Sequence, residues 1–437
     1  MRVLGVDVAP GFTRTNMIAC WVLGFVATMV ITFMPTAQPH LLSGVLGVAP
    51  GAQGRLVGLL GFVAELTMIV SLLWYGALAD RVGRRPIVVA GFALCALGTA
   101  LAPFAGSAAV LVALRVVFSL GTAALGGMFA TLAIDYAAER SRGKSYGVLG
   151  VTSGLGAMFA VFTLARLPER LERGGMDAAA ATRVSFLIVA AALLVAGVVM
   201  RFTLSAGKPA ETHIPLPRLI TEGVRLARDP GVALSYAAAF VARADLAVVS
   251  GFMSLWIVNY GVAHGMSSAQ ALARAGMVVG IAHGMSLIAS PLLGWLGDRV
   301  RRHNLVIGAQ LTAGLAYLST LLVDDPLGPG MIIVAVFVGV GEIAGINTAG
   351  PLLGTHAPAA IRGSAFGVQA LCGALGILLV SAIGGVLYDG WRPAAPFVVS
   401  GLLGLGVAAF GLSVRRRIDR DRRSGRTPEG SSATRPA

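Results

Sequence analysis

Six ionisable side chains interrupt long apolar stretches of this sequence. They are Glu65, Arg115, Arg243, Asp245, His283 and Glu342, and Asn347 adds an amide shortly after the last of them. A charge at the centre of a lipid bilayer costs at least about 2.5 to 3.5 kcal/mol, so such residues are functional candidates unless they pair structurally. Buried carboxyl groups and histidine can exchange protons, and arginine can hold a carboxylate. These seven residues are the candidates for a solute and proton site.

Structural explanations compete with this hypothesis. A buried hydrogen bond between helices would account for Glu65 or His283, and a static ion pair for charges in the later stretches. Arg243 and Asp245 are separated by one residue, so on a helix they point to nearly opposite sides and cannot simply neutralise each other. One of the two must find a partner elsewhere, and Glu342 is the candidate partner for Arg243.

The remainder of the chain is suited to lipid. Of its 437 residues, 56% are hydrophobic and 12% are charged, against roughly 25% charged residues in an average soluble domain. Mean hydropathy is +0.81. A bilayer is crossed by an apolar stretch of about 20 residues. The sequence predicts twelve such spans, near residues 16–36, 56–79, 87–106, 108–134, 145–164, 184–202, 232–259, 273–296, 304–323, 329–353, 365–387 and 393–413.

Basic residues are concentrated in the loops on one side. With twelve spans both termini share a side, and that side holds the basic groups of segments 81–85, 140–144, 299–302 and 415–426. The positive-inside rule makes this side cytoplasmic. We therefore expect a multi-pass protein of the inner membrane with both termini in the cytoplasm. The opposite side has one charged excursion, residues 164–183, to which the sequence assigns no function.

Two motifs recur in the second half of the chain. Tyr75–Arg85 reads YGALADRVGRR, and the later segment Leu293–His303 reads LGWLGDRVRRH. The heptapeptide RGKSYGV from Arg142 matches RGSAFGV from Arg362 at nearly the same offset along the chain. Self-similarity at two places indicates a duplicated unit, and duplicated halves commonly enclose a binding site.

The repeat fixes the predicted domains. They are a cytoplasmic N-terminus (1–15), an N-terminal six-helix bundle (16–204), a linker (205–230), a C-terminal six-helix bundle (231–414) and a disordered basic tail (415–437). Glu65 precedes Asp80 by the same spacing with which His283 precedes Asp298, so the repeat places Glu65 and His283 at equivalent positions. At about 1.5 Å per residue, both are about 22 Å along a helix from the loop.

The loop after the second span carries a family resemblance. Its pattern, Gly-x-Leu-Ala-Asp-Arg-x-Gly-Arg-Arg, is met at residues 76–85. On these residues the chain resembles the major facilitator superfamily (MFS) over nearly its whole length. The resemblance implies an all-α membrane fold of twelve helices in two pseudo-symmetric six-helix bundles. It also implies a cytoplasmic latch formed by Gly76, Asp80, Arg81, Gly83 and Arg84 with Asp135 and Arg142, and by Gly294, Asp298 and Arg299 in the second copy. The alternative is that these charges only orient the chain.

Arg115 matches a second family motif in part. The motif ends at Gly121, while Phe118 and Ser119 replace the usual Gln and Gly. The resemblance implies an arginine that holds a substrate carboxylate or tunes a nearby carboxyl, and snorkelling towards the surface is the alternative. In the family the third, sixth, ninth and twelfth spans face lipid. Here those four spans contain no ionisable residue between their flanking loops.

The predicted function is secondary transport of a small organic solute by alternating access, coupled to protons. Two intramembrane arginines favour an anionic solute. Efflux of drugs or metabolites by proton antiport is an alternative, although the fifth span, GVLGVTSGLGAMF, lacks the Gly-Pro pair of the family's antiporter motif. Symport and uniport stay open, and a non-transporting sensor on the same scaffold is an alternative of another class. The sequence has no HExxH, GxSxG or phosphate-loop motif, so an enzyme is not expected.

Other partners and cofactors are not expected. The formal charge of +14 is explained by topology rather than by nucleic-acid binding. Cys20, Cys95 and Cys372 lie inside apolar runs, where they predict packing rather than a disulfide or metal site. The predicted partners are the solute, protons and the lipid bilayer, and the predicted oligomeric state is a monomer.

Overall fold

The computed structural model describes residues 2–205, 216–297, 299–358 and 361–423, without the side chains of residues 72–73, 76–77, 80, 216–220, 245–247, 362–363 and 421–423. This part of the chain is mostly helical, with one short hairpin of β1 (Arg2–Val3) and β2 (Val6–Asp7). Among the described residues, twelve helical stretches are long and apolar enough to cross a membrane. The predicted all-α membrane fold of twelve spans is confirmed.

The first six spans are built from α1 (Arg14–His40), α2 (Pro50–Val82), α3 (Arg84–Leu101), α4 (Ala108–Asp135), α5 (Arg142–Phe162), a short α6 (Leu167–Arg173) and α7 (Ala178–Thr203). Polar side chains cap several of them. Thr13, Ser107 and Asp177 accept hydrogen bonds from backbone amides in the first turns of α1, α4 and α7. Such caps satisfy amides that a helix leaves unpaired at its N-terminus.

The linker contains α8 (Leu216–Arg225). The later spans are built from α9 (Pro230–Ala247), a π-helical segment (Val248–Met253), α10 (Ser254–Ala263), α11 (Ser268–Gly297), α12 (Arg302–Leu318), α13 (Pro329–His356), α14 (Arg362–Gly390) and α15 (Ala395–Arg423). Here α9, the π-helical segment and α10 together make the seventh span. Helix α15 continues past residue 415, where a disordered tail is predicted. Asp419 explains part of this, because it accepts a hydrogen bond from Arg301 Nη1 at 2.9 Å.

The chain forms two compact units whose boundaries differ from the predicted bundles. The first unit contains Met1–Glu211 with Ser250–His283, and the second contains Thr212–Val249 with Gly284–Ala437. The segment 250–283 belongs to the first unit because α10 and the start of α11 pack on the first six spans. Ser254 Oγ donates to the carbonyl oxygen of Thr36 in α1 at 2.6 Å.

Glycines bring two pairs of helices into backbone contact at positions related by the repeat. A Cβ atom on Gly156 of α5 would overlap the carbonyl oxygen of Phe25 in α1. A Cβ atom on Gly376 of α14 would overlap the carbonyl oxygen of Phe240 in α9. The offset between the two glycines equals the offset between the two copies of the second sequence motif. Small residues let helices approach closely in lipid, so the duplication is visible in packing as well as in sequence.

Replacing Gly376 by Ala should destabilise the protein. The added methyl group meets backbone rather than a flexible side chain, so α9 must shift, and overpacking of this kind typically costs about 1 to 3 kcal/mol. The measurement is the temperature at which the detergent-purified protein loses its monodisperse elution profile. Gly367→Ala is the matched control on the same helix, because its Cβ would meet no atom within 4 Å. Equal losses in the two variants would contradict this explanation.

The sixth and ninth spans expose large apolar side chains. On α7, Leu194, Val195 and Val198 are 53%, 63% and 59% exposed, and Leu315 on α12 is 62% exposed. Several large apolar side chains exposed on one helix are typical of a surface that contacts a membrane or another protein. The sixth and ninth spans therefore have the surface that the resemblance implies.

Candidate functional site

A sharp turn joins α2 to α3. Gly83 has φ +90°, a conformation that glycine adopts readily and other residues rarely adopt. Arg84 follows directly and forms an ion pair with Asp135 at the end of α4. The Arg84 side chain is only 15% exposed, so water screens this pair less than it screens a surface pair. The turn after the second span is thereby attached to the end of the fourth span.

The structure describes fewer contacts for the other predicted latch residues of the first half. Arg81 and Arg142 are exposed at their helix ends. The surroundings of Gly76 and the side chain of Asp80 lie outside the described residues. Their assignment to a latch stays a prediction.

The second half makes the corresponding connection with a different bond. Arg302 is the repeat equivalent of Arg84, and it donates from Nη1 to the carbonyl oxygen of Pro351 in α13 at 2.7 Å. A carbonyl carries no net charge, so this bond is expected to be weaker than the pair with Asp135.

The predicted residues of the second latch copy lie beside this connection. Arg299 stacks on Trp295, with its guanidinium carbon 3.8 Å from the ring centroid. A Cβ on Gly294 would meet nothing within 4 Å, so the space there does not require glycine. Asp298 lies outside the described residues.

The N-terminal segment packs on the loop between the fourth and fifth spans, which sequence reasoning missed. Val8 forms a β-bridge with Ala137. Asp7 Oδ2 accepts hydrogen bonds from Ser141 Oγ and Arg140 Nε, each at 3.2 Å. Loss of hydration acts to raise the pKa of the Asp7 carboxyl, but the bond from Ser141 and the charge of Arg140 outweigh it, and the pKa lies below its ordinary value. The hairpin is too short to be recognised from alternation alone.

In the first unit, the two charged candidates lie on α2 and α4. Glu65 is buried in α2. Arg115 stacks on Phe118 with 5.5 Å between its guanidinium carbon and the ring centroid. Its Nε and Nη1 atoms are buried and have no hydrogen-bond partner among the described residues. A cation over an aromatic ring gains about 0.5 to 2 kcal/mol, which does not replace the lost hydrogen bonds. Arg115 therefore presents donors without an acceptor.

His283, the third candidate of this unit, lies beside the π-helical part of the seventh span. Its Nε2 atom is 3.4 Å from Ser250 Oγ. A π-helical turn replaces regular i to i−4 bonding and is frequent at functional sites. A proton on His283 would thus lie next to an irregular section of backbone.

His40 is a buried histidine that the sequence analysis did not include. It is 1% exposed at the end of α1, and its Nε2 atom is 2.8 Å from Thr182 Oγ1 in α7. The predicted first span ends at residue 36, before His40. In the structure the helix continues through Pro35 and Pro39.

In the second unit, α11 and α13 are joined by two polar contacts about one helical turn apart. Ser286 Oγ lies 3.2 Å from Glu342 Oε2 and 2.8 Å from the carbonyl oxygen of Gly339. Asn347 Nδ2 donates to Ser290 Oγ at 2.9 Å. Glu342 is 2% exposed. Its carboxyl group is therefore held in the helix interface next to a hydroxyl group.

Arg243 lies in the interface between α9 and α14. A Cβ on Gly373 would come within 2.9 Å of Arg243 Cγ, so glycine leaves room for this side chain. Arg243 Nε is buried without a hydrogen-bond partner in the described part of the chain. The predicted pair of Arg243 with Glu342 is not among the described contacts and stays a prediction, and Ser286 bonds to Glu342. The side chain of Asp245 lies outside the described residues.

Known proteins resemble this chain in sequence and in fold. The family model described as Major Facilitator Superfamily matches residues 17–323 and 236–436. Magnetosome protein MamH of Paramagnetospirillum magneticum is 26% identical over 92% of this chain and 93% of its own length. Magnetosome protein MamZ of Magnetospirillum gryphiswaldense is 27% identical over 90% of this chain, which covers 61% of MamZ. The crystal structure of a mutant of nucleoside transporter NupG aligns with a TM-score of 0.71 at 11% identity, covering 92% of this chain and 99% of that one.

Proposed function

Because the chain belongs to the Major Facilitator Superfamily, a family of secondary transporters, we propose that it moves a small anionic organic solute across the inner membrane, coupled to protons. The observation that carries the substrate class is Arg115, whose Nε and Nη1 atoms are buried without an acceptor among the described residues. A buried guanidinium is costly until a carboxylate or similar group accepts its hydrogen bonds. Arg243 offers the same chemistry in the second unit.

Alternating access requires that the solute and the proton bind differently in the two states of the protein. Glu342 is the proton site that the geometry supports best. When its carboxyl is ionised, the Ser286 hydroxyl can donate to it. When the carboxyl is protonated, it can donate to Ser286, whose own hydrogen then turns to the carbonyl of Gly339. Both protonation states of Glu342 therefore keep a hydrogen bond to Ser286.

Glu65 and His283 are the alternative proton sites in the first unit.

We assign the Arg84–Asp135 pair to the cytoplasmic latch. A charge-assisted pair between the end of one span and the turn of another can break and re-form as the bundle changes its open side. The pair would then favour one of the two states.

Counterflow in proteoliposomes tests transport directly. Organic anions are first selected by thermal shift, since a ligand that prefers the folded state raises its melting temperature. Liposomes loaded with the selected unlabelled anion should then accumulate the labelled form from a trace pool outside, and protein-free liposomes should not. A pH gradient should drive net accumulation in a symporter and speed efflux in an antiporter. An anion that shifts the melting temperature without any counterflow would identify a sensor and contradict the proposal.

A further inference from the structure

A cavity of about 600 Å³ lies in the first unit, at the end of its helices opposite the N-terminal hairpin. One wall is the segment from Arg166 to Arg173, which belongs to the charged excursion without an assigned function. The other wall is the start of α11, including Arg274. We call it the distal cavity.

The distal cavity has a strong positive charge. Its lining contains Arg166, Arg170, Arg173 and Arg274 against the single carboxylate of Glu169, which is four positive charges and one negative. Arg173 pairs with Glu169. Neither Arg166 nor Arg170 has an ion pair within the part of the chain that the structure describes. A concave surface lined by one sign of charge concentrates ions of the opposite sign.

The two walls of the cavity are fixed to each other. A Cβ on Gly276 of α11 would lie 2.5 Å from the carbonyl oxygen of Val161 in α5, so these helices are in backbone contact. Glu172, which is outside the lining, accepts a hydrogen bond from Ser267 Oγ at 3.0 Å. The arginines on the two walls are therefore held on a rigid base, which reduces the entropy lost when a ligand binds between them.

We propose that the distal cavity binds an anion through carboxylate or phosphate groups. Guanidinium groups bind both in paired hydrogen bonds, and the volume lies in the range of about 300 to 1,000 Å³ found for small-molecule sites. On the predicted topology the cavity faces outward. There it collects the transported anion before it enters the bundle, a role that rests on the proposed function. A lipid headgroup offers the same phosphate chemistry, so the test separates the two sources.

Calorimetric titration of the full-length protein in phosphatidylcholine nanodiscs tests the site, with citrate and inorganic phosphate as probes. Both probes should bind saturably and more weakly as salt increases. The double variant Arg166→Gln/Arg170→Gln should bind at least about tenfold more weakly, since two charge-assisted contacts are lost. The expected loss should also be seen in an Arg115→Gln background, where the proposed transport site is removed. Elution and melting profiles establish that each variant is folded.

Arg183→Gln is the control. Arg183 lies on α7 over the Phe104 ring, 5.4 Å from its centroid, and outside the lining of the cavity. It should leave affinity within about twofold of wild type, because charges outside a cavity act mainly through the screened surface field. Absence of saturable binding, an unchanged double variant, or an equal loss in Arg183→Gln would each overturn the proposal.

Nanodiscs that contain phosphatidylglycerol distinguish the sources of the anion. If a headgroup occupies the cavity, citrate affinity should fall in wild type and not in the double variant, which supports the anion site and overturns the collecting role. Transport separates the two proposals. Citrate binding that depends on Arg166 and Arg170 without counterflow leaves the site standing and removes the proposed function. If counterflow is observed and the double variant binds citrate as wild type does, the proposed function stands and the anion site in the distal cavity is removed.

Discussion

Replacing Arg115 by Gln should lower solute counterflow by about a hundredfold without destabilising the substrate-free protein. Hydrogen bonds to a charged group contribute about 1.5 to 3 kcal/mol, and the upper value corresponds to roughly a hundredfold. The stability of the empty protein should stay the same or rise, because the substitution removes a buried charge whose Nε and Nη1 atoms have no acceptor among the described residues. Counterflow rate and melting temperature are measured on the same preparation.

Arg183→Gln is again the matched control, since Arg183 and Arg115 each stack on one phenylalanine, at 5.4 Å and 5.5 Å. Both variants lose a similar cation–π contact, but only Arg115 is expected to contact solute. Arg115→Lys should recover part of the rate, because it keeps the charge without the paired donors. A fall in melting temperature together with normal counterflow would show that Arg115 is structural.

The number of spans follows from the sequence because it depends only on the length of apolar stretches, and lipid leaves the backbone few alternatives to helix. The glycine at position 83 also follows from local sequence, because the tight turn between α2 and α3 needs a positive φ at this residue. The sequence repeat also relates tight helix contacts in the two halves of the chain. The offset that relates RGKSYGV to RGSAFGV also relates Gly156 to Gly376 at the tight contacts of α5 and α14.

Helix α1 extends beyond residue 36, where the predicted span ends, and continues through Pro35 and Pro39 to His40. Near its end, the carbonyl oxygen of Thr36 accepts a hydrogen bond from Ser254 Oγ in α10 at 2.6 Å. In lipid, proline is tolerated inside a helix where neighbouring helices supply contacts and hydrogen bonds. Ser254 lies in the other half of the chain, so no local sequence pattern contains this contact. Because the predicted span ended at residue 36, His40 was not recognised as an intramembrane histidine.

The sequence also does not indicate which side chains contact each other across helices. The structure describes a bond from Ser286 to Glu342, which the charges in the sequence do not indicate. Which side chains meet depends on the rotation of each helix about its axis. Span length and hydropathy do not define that rotation, and serine in an apolar helix is too common to mark a proton site by itself.

Replacing Glu342 by Gln should abolish accumulation driven by a pH gradient while counterflow persists. Glutamine keeps the size of the side chain and a carbonyl that can accept the Ser286 hydroxyl, but it cannot bind or release a proton. Exchange of solute for solute needs no net proton movement, so it should continue near the wild-type rate. Accumulation is measured with the membrane voltage clamped and only the pH gradient imposed.

Asn347→Ala is the control in the same interface, because Asn347 bonds to Ser290 about one turn from the Glu342 contact. It removes a hydrogen bond without removing a titratable group, so it should slow both assays together or neither.

Glu65→Gln tests the alternative proton site in the first unit with the same two assays. If Glu65→Gln uncouples and Glu342→Gln accumulates normally, the proton site lies on α2. The Ser286 contact then only holds α11 against α13. If neither variant loses pH-driven accumulation, neither of these two carboxyl groups is the coupling site, and Asp245 and His283 remain as titratable candidates.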